Sequence, residues 1–573
     1  MKLKRMAIVK IICLSAITIA CFTNTAASQY AAKVDKRPNI LLIMADDLGY
    51  SDIGCYGGEI KTPNLDNLAK NGLRFSQFYN ASRCCPTRAS LLTGLYSHQA
   101  GMGNMSNDQR TPGYRGYLTD NTVTLAEVLK TAGYQTGMIG KWHLSNTSTQ
   151  STKEKHLDWL NHQTDYPVFA PLDQYPVNRG FDKFYGTIWG VVNFFDPFSL
   201  VNGTAPVKSV DKDYYYTDTI NDSAANYVRQ FGRNKAPFFL YVAHTAPHWP
   251  LHALPEDIER YKNVYKAGWD VIRNARYQKM IREGLFDEKQ AALSTRWRVE
   301  NKWVGNVHKE WDAYAMAVRA AMVDRMDKGI GKIIQTLKET GQLDNTLILF
   351  LSDNGASSDD AQNYGPGFDR PGETRSGEAI IYPVRKQVLP GTETTFASAN
   401  EMWSNVANTP FRYWKTKAFE GGICTPLIVS WPNGLTVKKG RITNQTGHVI
   451  DFMATFSELA GARYPQVYKG NEITPTEGLS LVPIFKGEQR KGHEYLFFEH
   501  LNSKAVRNGD WKLVSLNEKS DWELYNLKTD RTEMYNLARQ NSAMVEELKA
   551  KWYDWANKSK VLPKPLAANG IKE

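Results

Sequence analysis

Four short apolar runs constrain this chain more than any other feature, because each breaks off into ionisable residues. Asn39–Ala45 leads into Asp46, Asp47, Leu48 and Gly49. Residues 136–140 lead into Lys141, Trp142 and His143, and residues 238–243 into His244, Thr245, Ala246, Pro247 and His248. Residues 346–351 lead into Ser352, Asp353, Asn354 and Gly355. A continuous apolar run this short reads as a strand of a parallel sheet, buried on both faces. Helical stretches alternate with the runs. One opens at Thr62-Pro63-Asn64, with Thr62 as N-cap, Pro63 at the first position and Gly72 beyond its end. Residues 125–132 form another, closed by Gly133, and residues 318–340 a longer one. The alternation predicts an α/β fold with a mostly parallel sheet. In such sheets ligands bind outside the carboxyl ends of the strands. One acidic pair after a strand is most often a turn and helix cap. Four strands that deliver polar residues to one edge point to a site.

A fifth segment, Cys84-Cys85-Pro86-Thr87-Arg88-Ala89-Ser90-Leu91-Leu92-Thr93-Gly94, brings a thiol. Pro86 suits a first helical position, where its missing N–H costs nothing. Cys84 then lies just outside a helix whose N–H groups and dipole favour anions. It is either an inert helix start or, with Arg88 on the next turn, a reactive centre facing an anionic ligand. Asp46, Asp47, Asp353 and Asn354 form an oxygen-only set that suits Ca²⁺ or Mg²⁺ better than zinc or copper. Ca²⁺ is preferred, since three carboxylates and an amide supply much of the ~6–8 oxygens it takes. His244 and His248 are not a helical zinc pair, because Pro247 breaks the helix that would align them; His244 reads as structural. A thiol is a poor partner for a hard cation, so Cys84 would have to present oxygen to join such a site.

The pattern Cys-x-Pro-x-Arg followed by Leu-Thr-Gly resembles the signature of type I sulfatases. In that family the first cysteine is oxidised to formylglycine, an aldehyde whose hydrate is the nucleophile; the match puts that role on Cys84 and supplies the missing oxygen. The likeness runs from about residue 37 to about 562, through Arg37-Pro38-Asn39 to Asp52-Ile53-Gly54, Gly133-Tyr134-Gln135-Thr136 to His143, Ala246-Pro247-His248-Trp249-Pro250-Leu251, Ser352-Asp353-Asn354-Gly355-Ala356 and Lys415 to Gly422. Among sulfatases the chain is most similar to bacterial arylsulfatases of the Pseudomonas type. The resemblance implies an alkaline-phosphatase-like sandwich: a large mixed, mostly parallel sheet between helices, plus a small C-terminal α+β domain with a short antiparallel sheet. It implies one Ca²⁺ held by Asp46, Asp47, Asp353, Asn354 and modified Cys84. Asp353 would take the attacking hydroxyl's proton, while Arg88 and Lys141 fix the diol. His248 and Lys415 would serve the leaving oxygen, with Lys417 as the nearby rival to Lys415. His143 would help take the proton whose loss ejects sulfate. The implied activity is an arylsulfatase-type sulfuric ester hydrolase. A sulfatase of carbohydrate or steroid sulfates, or a phosphonate monoester hydrolase, is the alternative. The implied partners are a small sulfate ester and a formylglycine-generating or sulfatase-maturing enzyme. An exported calcium scaffold with a free thiol has no use for a cationic ring around the metal.

The remaining features set boundaries. Lys2, Lys4, Arg5 and Lys10, an apolar stretch over 11–22 and the small residues Thr25, Ala26 and Ala27 read as a secretory signal over 1–27, hence an exported and periplasmic protein. Removing those four basic residues from a formal charge of +11 leaves +7. With no long basic block, this suits anionic substrates rather than nucleic acid. No stable membrane insertion is expected, since the apolar run is shorter than the ~20 residues needed to span. Of six cysteines, Cys13 and Cys21 fall in the leader. The other four are too few for a disulfide framework, and Cys55 and Cys424 read as apolar fillers. The catalytic domain is expected over 36–475 and the small domain over 476–560. Residues 256–311 read as a helical insertion. Loops at 187–215 and 357–410 would shape specificity.

Overall fold

The computed structural model describes residues 37–147, 150–162, 168–234 and 236–565. The leader expected at 1–27 lies outside them. Strand Asn39–Ala45 lies between Phe238–Ala243 and Thr346–Ser352 and runs parallel to both. Gln135–Lys141 joins Phe238–Ala243, and Lys183–Thr187 joins Gln135–Lys141, again in parallel. On the other flank Leu427–Ser430 runs antiparallel to Thr346–Ser352 and to Leu73–Phe75, and Arg441–Thr443 closes that edge. With Leu200–Asn202 and Ala205–Pro206 the sheet has ten strands among the described residues.

Alternate side chains of a strand face opposite ways. Leu41, Ile43 and Ala45 join a core with helices Tyr216–Phe231 and Lys309–Glu339. Ile40, Leu42 and Met44 join a second core with helices Cys84–Thr93, Leu125–Thr131 and Asp451–Ala460. Both faces are therefore covered, which is why the strands read as unbroken apolar runs. The parallel strands all point one way, so Asp46, Lys141, His244 and Asp353 emerge at one edge.

Local expectations needed three corrections. Helix Pro63–Asn71 starts where Thr62 and Pro63 predict, but Thr62 does not cap it with its side chain. The Thr62 hydroxyl donates to Asp66 at 3.1 Å and accepts from the Gly54 amide at 2.8 Å. Asp327 of the long helix caps instead, accepting from the amides of Asn64 and Leu65 at 3.1 and 2.8 Å. Helix Cys84–Thr93 begins two residues before the position Pro86 suggested, with Arg83 as N-cap. The first-turn amides have no helical partner, so proline is tolerated at its third position as well. In the insertion, helices Pro255–Glu259 and Trp269–Arg282 are followed by irregular chain up to Lys309, broken by the short turn Trp303–Gly305.

The C-terminal segment forms a four-stranded antiparallel sheet, Tyr495–His500, Ser503–Asn508, Trp511–Ser515 and Glu523–Asn526, in sequence order. Helix Ser542–Lys558 packs on it, Trp555 stacking on Phe497 at 5.0 Å. Buried ion pairs bind this sheet to the main domain. Lys512 reaches both Glu420 and Glu533 at 2.8 Å, Arg531 pairs with Glu420, and the Tyr79 hydroxyl donates to Glu420 at 2.9 Å. Burial alone would raise Glu420; Arg531, Lys512 and Arg507 outweigh it and hold the carboxyl down to about 2. Glu420→Gln leaves two buried cations short of a carboxylate. A loss of about 3–5 kcal/mol is expected, read as a lower denaturant midpoint. The stabilisation is present above Glu420's ordinary value of 4.5 and disappears as pH falls toward 2. The gap between variant and wild type must therefore close over that interval; a constant gap contradicts the assignment.

Candidate active site

The carboxyl edge gathers the polar strand ends around the mouth of helix Cys84–Thr93. Ligand atoms of Asp46, Asp47, Cys84 and His248 all lie within 4.8 Å of one another, and all four residues are buried. The Cys84 thiol donates to Asp46 Oδ1 at 3.6 Å. Lys141 Nζ donates to Asp46 Oδ2 at 2.5 Å. Arg88 forks Asp353 Oδ2 through Nε at 3.1 Å and a terminal nitrogen at 2.8 Å. Asp47 accepts from Lys415 Nζ at 2.8 Å and from Asn354 Nδ2 at 2.6 Å. Three carboxylates are thus matched by three cations in a space closed to water, where unpaired charge is costly. Arg88 and Lys141, expected on the diol, are the partners of those carboxylates. Lys415, rather than the half-buried Lys417, faces the cluster.

The backbone is bent to make these contacts. Asp47, Ser82, His143 and Thr416 adopt left-handed φ of 63°, 59°, 58° and 74°. Such conformations persist where the surrounding structure dictates them, typically at functional sites. Gly190 lies so close to the His143 ring that a Cβ there would stand 2.1 Å from its Cε1. His143 Nδ1 is buried without a partner among the described residues.

Charge distribution separates the groups by role. Burial would raise Asp46, but Lys141, His248 and Arg88 hold it well below the carboxylate range. Burial and the neighbouring Asp46 push Asp353 upward. Burial lowers His143 well below its ordinary value, and Lys141 and Arg88 add to this. Burial also lowers His248, to about 4. Its Nδ1 lies 2.5 Å from the Trp249 carbonyl, an acceptor, so Nδ1 carries the hydrogen. Nε2 is left to accept from Lys415 at 3.3 Å. The Asp47 carboxylate keeps Lys415 an ammonium despite its burial. Cys84 departs from the reactive thiol expected: burial pushes it up to about 12, more than Lys141 and Lys415 offset. As a plain cysteine it is a neutral thiol.

The donor set fits a hard cation. Asn354 Oδ1 is buried with no hydrogen-bond partner among the described residues, beside the carboxylate of Asp47 that its own amide nitrogen meets. A bare amide oxygen among carboxylates is a cation's place. The Cys84 sulfur and the His248 nitrogen, which share the cluster, are out of character with it. Two charged residues were missed in the sequence. Asp359 accepts from the Trp249 indole at 2.9 Å and lies in the fields of Lys415 and Arg83. Arg83, the helix N-cap, faces Asp359, Cys84 and Asp47. Asp359 sits in an irregular loop without periodicity, so no sequence signal marked it. His244 is buried, and burial lowers it to about 3; neither ring nitrogen has a partner among the described residues.

A buried cluster of Asp46, Asp47, Cys84 and His248, set at the carboxyl edge of a mostly parallel sheet, is typical of metal- and formylglycine-dependent hydrolases. The chain belongs to the sulfatase family, whose Sulfatase model matches residues 38–462. A second model, N-sulphoglucosamine sulphohydrolase, C-terminal, matches residues 411–558. The chain is 31% identical over 562 residues to an uncharacterized sulfatase of Schizosaccharomyces pombe, covering 92% of this chain and 95% of that one. It is 33% identical over 472 residues to an arylsulfatase of Klebsiella aerogenes, covering 81% and 95%. Of solved structures, Ps i-CgsB in complex with k-i-k-neocarrahexaose matches with TM-score 0.62 and 26% identity, covering 91% of this chain and 93% of that one. Among the described residues no helix is long and apolar enough to cross a membrane.

Proposed function

We propose that this chain is an exported sulfatase that releases sulfate from a sulfated carbohydrate, using Cys84 converted to formylglycine and one Ca²⁺. The observation that supports the carbohydrate class is the likeness to Ps i-CgsB, solved in complex with k-i-k-neocarrahexaose. The name of the Klebsiella relative favours a second reading, an aryl sulfate, in line with the resemblance to Pseudomonas-type arylsulfatases. A sugar alkoxide is a stronger base than a phenolate and needs a proton as it leaves, a demand the Lys415–His248 pair meets.

Asp46, Asp47, Asp353 and Asn354 would hold the ion. When bound, it would polarise a sulfate oxygen and acidify the attacking hydroxyl. The protein's own groups do the rest. Arg88 and Lys141 orient converted Cys84 and the sulfate. Asp353, biased upward by burial and Asp46, accepts the attacking hydroxyl's proton. Lys415 holds its proton at neutral pH and gives it to the leaving oxygen, while neutral His248, its Nε2 an acceptor, holds the ammonium in place. His143, neutral and with a free Nδ1, receives the proton whose loss restores the aldehyde.

The test is sulfate release from a panel of monosulfated methyl hexopyranosides against 4-nitrophenyl sulfate. At least one sugar is expected to exceed the aryl ester in kcat/KM. Turnover of the aryl ester with none of any sugar would leave the aryl reading in possession.

A further inference from the structure

Beside the catalytic cluster lies a small separate core formed by Val191, Trp249, Ala361, Ile380 and Phe396, with Tyr364 and Tyr382 packed against it. It touches the reaction centre from two sides. Trp249 follows His248 in the chain, their rings 5.2 Å apart, and Val191 follows Gly190, which carries the His143 ring. Tyr364 meets Trp249 edge-on at 5.7 Å. Trp249 is 8% exposed and Tyr364 only partly buried, so the edge of this core would suit an aryl ring as well as the apolar face of a sugar.

The polar groups beside this edge discriminate. Asp369 is buried, pairs with Arg370 at 3.0 Å and faces the charges of Lys141 and Asp359. Arg370 lies over the Tyr364 ring, 5.0 Å from its centroid. The Tyr382 ring packs on the same core, 5.6 Å from Phe396, and its hydroxyl is buried without a hydrogen-bond partner among the described residues. A buried hydroxyl left unpaired is costly unless something meets it. A carboxylate, a guanidinium and a phenol offer acceptors and donors together, which an aryl ring cannot use. A carboxylate beside a site for an anion also disfavours a second negative charge on the substrate.

We infer that Asp369, Arg370 and Tyr382 form a hydroxyl-reading subsite for the alcohol half of the ester, which is a neutral polyhydroxylated ring laid against Trp249 and Tyr364. This deepens the carbohydrate reading above and rests on it.

The experiment compares wild type, Asp369→Ala and Tyr382→Phe on the best sugar of the hexopyranoside panel and on 4-nitrophenyl sulfate. The quantity read is the ratio of kcat/KM for sugar to kcat/KM for aryl ester. Each variant is expected to lower that ratio about tenfold to a hundredfold, mostly through KM for the sugar. Tyr382→Phe keeps the ring and removes one oxygen, so it decides the matter if Asp369→Ala fails to fold. A ratio that stays at the wild-type value overturns the subsite while the carbohydrate reading survives. Wild type that turns over the aryl ester and no sugar defeats the carbohydrate reading, and the subsite with it.

Discussion

Cys84→Ala is expected to lose about 10⁴-fold or more of turnover while the protein stays folded. The side chain is buried, and losing its sulfur costs about 1 kcal/mol of stability at most. The functional loss is large because Cys84 stands where the helix mouth, Asp46, Lys141 and Lys415 converge. An unconverted thiol there, pushed up to about 12, is neither a good nucleophile nor a ligand for a hard ion. On the proposed mechanism the active form carries oxygen at this position. Replacing CH₂SH by CHO lowers the mass of the peptide bearing residue 84 by ~18 Da, and mass spectrometry of active protein should find that form. Cys85→Ala is the control: its sulfur lies 4.0 Å from the Met105 sulfur and is not one of the cluster's ligand atoms among the described residues. Substantial sulfatase activity in Cys84→Ala, or an unmodified thiol in fully active protein, ends the assignment.

The parts of this molecule legible in its sequence are those where one physical demand dominates. The central strands are buried on both faces, so no polar residue interrupts Asn39–Ala45 or Phe238–Ala243, and their ends are marked by the first ionisable residue. Features that depend on distant partners were not legible. Thr62 has the right chemistry for a cap, but Asp327, 262 residues from Leu65, does the capping. The start of helix Cys84–Thr93 was misplaced because proline fits several first-turn positions. Asp359 and Asp369 lie on loops that follow no period, and only the folded chain brings them near Lys415 and Lys141. The pairing of Lys141 with Asp46 spans 95 residues and has no local signature.

Removing calcium is expected to reduce turnover about 10³-fold, the scale of losing one dominant electrostatic stabiliser in a dry site. The geometry gives a cation both a place and a use. Asp46, Asp47 and Asp353 are buried, and Asn354 turns an unpaired amide oxygen into the same space. Arg88, Lys141 and Lys415 match the three carboxylates one to one, so none of these three is free for an incoming sulfate. Every cation that engages sulfate must first loosen from its carboxylate. A divalent ion held by the same oxygens would free Lys141 and Lys415 for the substrate. Two readouts besides activity check this. Elemental analysis of active protein should give one calcium per chain, and Asp46→Ala should lose it. The melting temperature should rise with added Ca²⁺ in wild type, by the equivalent of about 2.7 kcal/mol at a hundredfold excess over Kd, and stay flat in Asp46→Ala. An undiminished rate in chelator, with no divalent metal retained, would refute the metal's part while leaving the Cys84 prediction standing.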